Sequence, residues 1–208
     1  MKRIVSRPAH GFTLVELLVV IAILGILTAI AIPALSAVRR SSDTKATKAF
    51  LERIKLQVES YSNDFGDYPP SRASAIGFRM NEVNAGSEVL LRCLTTSTKS
   101  GPYMEFEDAQ LGNTDGDSLG GTDNPTRSVM RTPDLLEIVD TFGNSILYLH
   151  NKDYERGGIV RLPGGDKTIP AFQHEKTKQF AGLMSYQLWS AGVDGEHGTD
   201  DDVRVFGE

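Results

Sequence analysis

From Leu17 to Val38 the chain runs for 22 residues without a charge, and directly before that run stands one acid, Glu16. A helix rising about 1.5 Å per residue over this length crosses a hydrocarbon core of about 30 Å, so the segment can span a bilayer. A carboxylate at membrane depth costs about 2.5–3.5 kcal/mol on insertion scales and calls for a positive partner. Proteolysis between Gly11 and Phe12 would create one, because the new α-amino group would lie four residues before Glu16 on the same helical face. Two plainer readings stay open: a secretory signal cut near Ala34–Ala37, although such signals usually hold about 7–15 apolar residues, and an unprocessed single-pass anchor.

The stretch Gly11 to Pro33, G-F-T-L-V-E-L-L-V-V-I-A-I-L-G-I-L-T-A-I-A-I-P, resembles the N-terminus of the type IV pilin-like superfamily. In that resemblance residues 1–11 are a basic leader, Phe12 is the first mature residue, Glu16 the fifth and Pro33 the twenty-second. It implies cleavage and N-methylation by a prepilin peptidase, a transmembrane and assembly helix over 12–38, and a periplasmic head over 39–208. It also sets the orientation. The basic residues do not: Arg39, Arg40, Lys45, Lys48 and Arg53 follow the run and outnumber Lys2, Arg3 and Arg7 before it.

Beyond Pro33 the helical period resumes through Ala46, Phe50, Ile54, Val58 and Tyr61, predicting one long helix from Phe12 to about Asn63. Pro33 lacks an amide hydrogen, so a kink or a locally melted turn is expected there. Gly66 and Tyr68-Pro69-Pro70 should end the helix. A second helix is expected over 84–96, capped near Ser87 and packed on the first. The Gly-, Ser-, Thr-, Asn- and Asp-rich segment 97–131 reads as a loop or insertion outside the core. Ser145–His150, Leu183–Trp189 and Val203–Phe206 read as strands of a small antiparallel sheet, and 157–167 as a loop between strands. The fold class is α+β, with the long N-terminal helix packed on that sheet. Two further segments resemble major pseudopilins of type II secretion systems: V-E-S-Y-S-N-D-F-G-D-Y-P-P over Val58–Pro70, and D-T-F-G-N over Asp140–Asn144, where Thr141 and Phe142 replace Pro and Trp.

Ser190–Asp202, S-A-G-V-D-G-E-H-G-T-D-D-D, packs four Asp, one Glu and three Gly into 13 residues. Calcium would answer the repulsion, since it takes about six to eight oxygens and the glycines let the backbone curl round it. The segment over 188–203 also resembles the calcium-binding ending of many major pseudopilins. That likeness implies the Leu188 carbonyl, the Ser190 hydroxyl and the Asp194, Asp200 and Asp202 carboxylates as ligands, with Asp201 as a possible substitute. A solvated acidic turn is the plainer reading. His197 is expected to be exposed. Asn113, Asp115 and Asp117 have the first spacings of an EF-hand, but Ser118 stands at position 6 and Asn124 at position 12, so a surface loop is the expectation there.

The net charge is −5, and residues 12–208 carry −8 once Lys2, Arg3 and Arg7 leave, which argues against a nucleic-acid partner. Cys93 is the single cysteine and reads as a small buried apolar residue. No nucleophile elbow, zinc-binding HExxH or phosphate loop is present, so His150 and His174 read as strand-end or surface residues and no enzyme is expected. Tyr186 and Trp189 should be sheet packing. The resemblance implies a subunit of a type II secretion pseudopilus, meeting its own copies, other pseudopilins and an inner-membrane assembly platform. A type IV pilus or minor pilin subunit is the alternative, and a membrane-tethered periplasmic binding module or hydrolase stands further off.

Overall fold

The computed structural model describes residues 13–77, 80–118, 132–162 and 164–207, so Gly11, Phe12, the leader's basic residues and 119–131 lie outside the described residues. In chain order the elements are helix α1 (Leu14–Phe65), helix α2 (Ala85–Thr95), and strands β1 (Leu111–Gly112), β2 (Glu137–Ile138), β3 (Leu147–His150), β4 (Gly158–Leu162), β5 (Gly165–Ile169), β6 (Tyr186–Ser190) and β7 (Val203–Phe206). The chain divides into two compact units, Met1–Ser41 and Ser42–Glu208.

In the first unit α1 is apolar on every face. Leu17, Leu18, Val19, Val20 and Ile21 follow one another and all are exposed, so beyond Glu16 this stretch keeps no polar side to face water. The helix runs unbroken through Pro33. No turn melts there, because a proline removes one donor while the residues on either side keep their own bonds. Ser36 and Thr28 donate their hydroxyls back to the carbonyls of Pro33 (2.8 Å) and Leu24 (2.9 Å).

In the second unit Leu51, Ile54 and Val58 of α1 share a core with Leu90, Leu91 and Leu94 of α2 and with Tyr148, Tyr186, Leu188 and Val205 of the sheet. Of the spacing read from the sequence, Ile54 and Val58 are buried and Phe50 and Tyr61 half-buried, while Ala46 is exposed and the buried face continues instead through Leu51 and Thr47. Gly66, at φ +80°, closes α1 by donating to Ser62 O at 2.8 Å. The following segment ties the helix end to the sheet. Tyr68 and Tyr186 both donate to Glu59, each at 3.2 Å, and Tyr148 donates to Pro69 O at 2.6 Å.

β6 lies between β3 and β7 in an antiparallel sheet, with Leu147 opposite Trp189 and Ser190 opposite Val203. Alternation sends Tyr186 and Leu188 to the helical face, while Trp189, Leu147 and Leu149 meet a second cluster with Tyr154, Val160 and Ile169. That second face corrects one expectation: 157–167 is not a bare loop, since β4 and β5 pair as a hairpin, Gly158 opposite Ile169. Four of the five β5 residues are exposed, so its Gly-Asp-Lys-Thr sequence has no apolar alternation to reveal a strand.

Two further differences have local causes. α2 begins after Asn84, and Ser87 does not cap it; instead its hydroxyl accepts from Ile138 N (2.9 Å), joining α2 to β2. Gly86 lets this helix approach the sheet, because a Cβ there would stand 2.2 Å from Tyr148 O. Segment 97–131 enters the core in part, through buried Met104 with Tyr103, Phe106 and Leu111 packed beside it. The composition of that segment hid these few apolar anchors among its turn formers.

Candidate functional site

Glu16 has a local partner. Thr13 donates to its Oε2 from both the backbone N (2.8 Å) and Oγ1 (2.7 Å), and Glu16 N donates back to Thr13 Oγ1 (3.2 Å). This is a reciprocal capping box that satisfies donors at the start of α1. The Thr-x-x-Glu spacing was readable in the sequence, yet attention to the charge alone passed over it. α1 is long and apolar enough to cross a membrane.

At the other end of the chain, Gly192, Gly195 and Gly198 all adopt positive φ, at +68°, +71° and +95°, as the predicted curl requires. Asp201 organises the loop: its Oδ2 accepts from Val193 N (2.6 Å) and Asp194 N (3.0 Å), and its Oδ1 from Thr199 Oγ1 (2.6 Å). Asp194 accepts from Glu196 N at 2.8 Å. Asp202 accepts from Gly198 N (2.9 Å) and pairs with Arg204. Its Oδ1 is buried with no hydrogen-bond partner among the described residues, and burial raises its pKa. Leu188 lies within β6 between Tyr148 and Val205. Ser190 donates to Asp140 Oδ2 at 2.5 Å and accepts from Gly192 N at 3.0 Å. Asn144 adds a bond to Gly192 O at 2.8 Å, so the Asp140–Asn144 turn clasps the loop's base.

The orphaned Asp202 oxygen suits a hard cation, but among the described residues the Asp194, Asp200 and Asp202 carboxylates do not converge within 4.8 Å of one another. His197 corrects the expectation of exposure. It is buried 6.1 Å from the Trp189 ring, and burial, with Arg204 and Lys167, lowers its pKa to about 4. His174 is exposed, while His150 closes β3 and is buried, with Nε2 3.1 Å from Asp67. Tyr186, Trp189 and Cys93 are buried, as expected.

Residues 6–32, which include Gly11, Phe12 and Glu16, match the prokaryotic N-terminal methylation motif. That motif, a long apolar helix and small antiparallel sheets are consistent with an α+β pilin-like fold.

In this motif the chain resembles the type IV pilin-like superfamily.

This pilin-like chain is 42% identical over 80 residues to the type IV wide pilus major component PilA4 of Thermus thermophilus, covering 38% of this chain and 60% of that protein. It is 36% identical over 91 residues to the type IV major pilin protein PilA of Myxococcus xanthus, covering 38% of this chain and 40% of that pilin. Against the type II secretion system core protein G of Aeromonas hydrophila it is 27% identical over 131 residues, covering 57% of this chain and 91% of that protein. The chain thus spans 60% or less of the two pilins' lengths. No solved structure gives a significant match. These relatives are structural subunits, and the apolar helix with its methylation motif fits a membrane-anchored pilin-like subunit.

Proposed function

We propose that this pilin-like subunit polymerises into the periplasmic pseudopilus of a type II secretion system, anchored in the inner membrane before assembly. The observation that carries this reading is the likeness to core protein G, which covers 57% of this chain against 38% for each of the two pilins. A prepilin peptidase would cut after Gly11 and methylate the Phe12 amine. The apolar first half of α1 would then leave lipid for a bundle of like helices, where a contact that does not close on itself generates an open helical filament. Glu16 of an incoming subunit would pair with the Phe12 amine of its neighbour, each charge offsetting the other's desolvation. The capping box with Thr13 holds Glu16 until that exchange.

The C-terminal loop would hold a structural calcium ion through Asp194, Asp200 and Asp202 with the Leu188 carbonyl and Ser190. When bound, the ion supplies charge neutralisation. Asp140 and Asn144 orient the loop beneath it.

A type IV pilus subunit is the second reading, favoured by the 42% identity to a pilus major component. Deleting the gene in its host and restoring it with wild type or Glu16→Ala separates the two. Loss of protein export with surface pili intact supports the secretion reading, while normal export with pili lost replaces it by the pilus one. In either system Glu16→Ala should leave Gly11 cleavage and Phe12 methylation intact by mass and abolish assembly.

A further inference from the structure

A second group of acids meets away from the C-terminal loop. One carboxylate oxygen each from Glu88 on α2, Asp115 in the loop after β1, and Glu137 on β2 lies within 4.8 Å of the others. Glu88 is 5% exposed, and both of its carboxylate oxygens are buried with no hydrogen-bond partner among the described residues. A protonated Glu88 would be no better satisfied, since a carboxyl hydrogen needs an acceptor. Asp117 adds another buried, unpartnered oxygen, Oδ1.

Neighbours hold the other acids in position. Asn81 donates to Asp115 Oδ2 (3.0 Å) and Asp117 Oδ2 (2.7 Å), and Asn84 donates to Glu137 Oε1 (2.7 Å). Such orienting contacts are what the outer shell of a metal site supplies. Arg161 donates instead to the Asp115 carbonyl (3.3 Å) and pairs with Asp166. Oxygens bound to one calcium at about 2.4 Å stand at most about 4.8 Å apart, and these three carboxylates lie within that limit. Magnesium fits less well, because it demands near-octahedral geometry and dehydrates reluctantly, whereas these carboxylates arrive irregularly from three separate segments.

We propose that Glu88, Asp115 and Glu137, with Asp117, bind one structural calcium ion that fastens the loop after β1 to α2 and β2. The site is separate from the C-terminal loop and does not depend on the secretion reading.

The test is calcium binding to the full chain in detergent micelles, by calorimetry and equilibrium dialysis. Glu88→Gln and Asp115→Asn should each bind one ion fewer per chain than wild type, or bind it at least tenfold more weakly. Asp200→Asn with Asp202→Asn should retain that ion. Glu88→Gln replaces the carboxylate with a neutral group of the same shape, and circular dichroism checks its folding; should it not fold, Asp115→Asn, in a half-exposed loop, carries the test. Unchanged stoichiometry and affinity in Asp115→Asn, or loss of all calcium in the Asp200/Asp202 variant alone, overturns the proposal.

Discussion

Ser190 donates its hydroxyl to Asp140 at 2.5 Å across 50 residues of chain, and both side chains are buried. Asp140 also accepts from Phe142 N (2.8 Å) and Asn144 N (2.9 Å), so one carboxylate shapes its own turn and anchors the C-terminal loop. A buried carboxylate with this many donors is held firmly, and removing it strands all of them.

Asp140→Ala should therefore lower unfolding free energy by about 3–5 kcal/mol, the cost of breaking a buried charged network. Ser190→Ala should cost less. The two changes combined should show coupling of about 1.5–3 kcal/mol in a double-mutant cycle read by thermal unfolding, and additive losses would contradict the link.

Gly192 sits at φ +68°, and a Cβ there would lie 2.4 Å from Asp201 O. Gly192→Ala should cost about 2–3 kcal/mol through backbone strain and the clash. Gly198, at φ +95° with nothing near its Cβ position, is the control: Gly198→Ala should cost about 1–2 kcal/mol. Equal losses in melting experiments would rule out the close approach as the cause.

Cys93 is 5% exposed, and burial pushes its thiol up to about 11. A protonated, enclosed thiol is a poor nucleophile. At pH 7.5 the folded chain should take up no maleimide over minutes, while the chain in strong denaturant should label fully. Rapid labelling under native conditions would show that the α2 face opens.

Asp67 gives a signed pH dependence. Lys152 at 2.5 Å, then His150 at 3.1 Å and Tyr68 N at 2.9 Å, hold its pKa down to about 2 from an ordinary 3.8. A lowered acid contributes stability fully above its unfolded value and loses it as pH falls through its folded value, so the window runs from about pH 4 to pH 2. The side chain is 52% exposed, and solvent screening holds the contribution to about 0.5–1 kcal/mol. Asp67→Asn should flatten stability across that window and change little near pH 7; an unaltered acid limb in unfolding curves would dismiss the pairing.

Features with short-range causes were legible in the residues. The apolar run, the Phe50, Ile54 and Val58 spacing, and the end of α1 at Gly66 each follow from neighbouring side chains or from a conformation one residue permits. The three sheet strands announced themselves through their apolar residues, although the expected Leu183–Trp189 strand begins only at Tyr186, with Leu183 and Met184 exposed before it. Hairpin β4–β5 did not, since pairing and the cover it provides stabilise it, and its exposed strand carries no pattern. His197 was misread for a related reason. An acidic, glycine-rich neighbourhood suggests water, but Trp189 and Arg204 close over the ring.

Glu16 and Glu88 mark the division. Both are lone acids at the start of apolar helical stretches, and the sequence by itself determined that Glu16 needs a partner, because its surroundings are set by the uncharged residues next to it. Only the tertiary structure decided what surrounds Glu88: α2 packs on β2, and the loop after β1 folds back upon them. Carboxylates distant along the chain then converge, and their mutual repulsion depends on distances in space that no local period encodes.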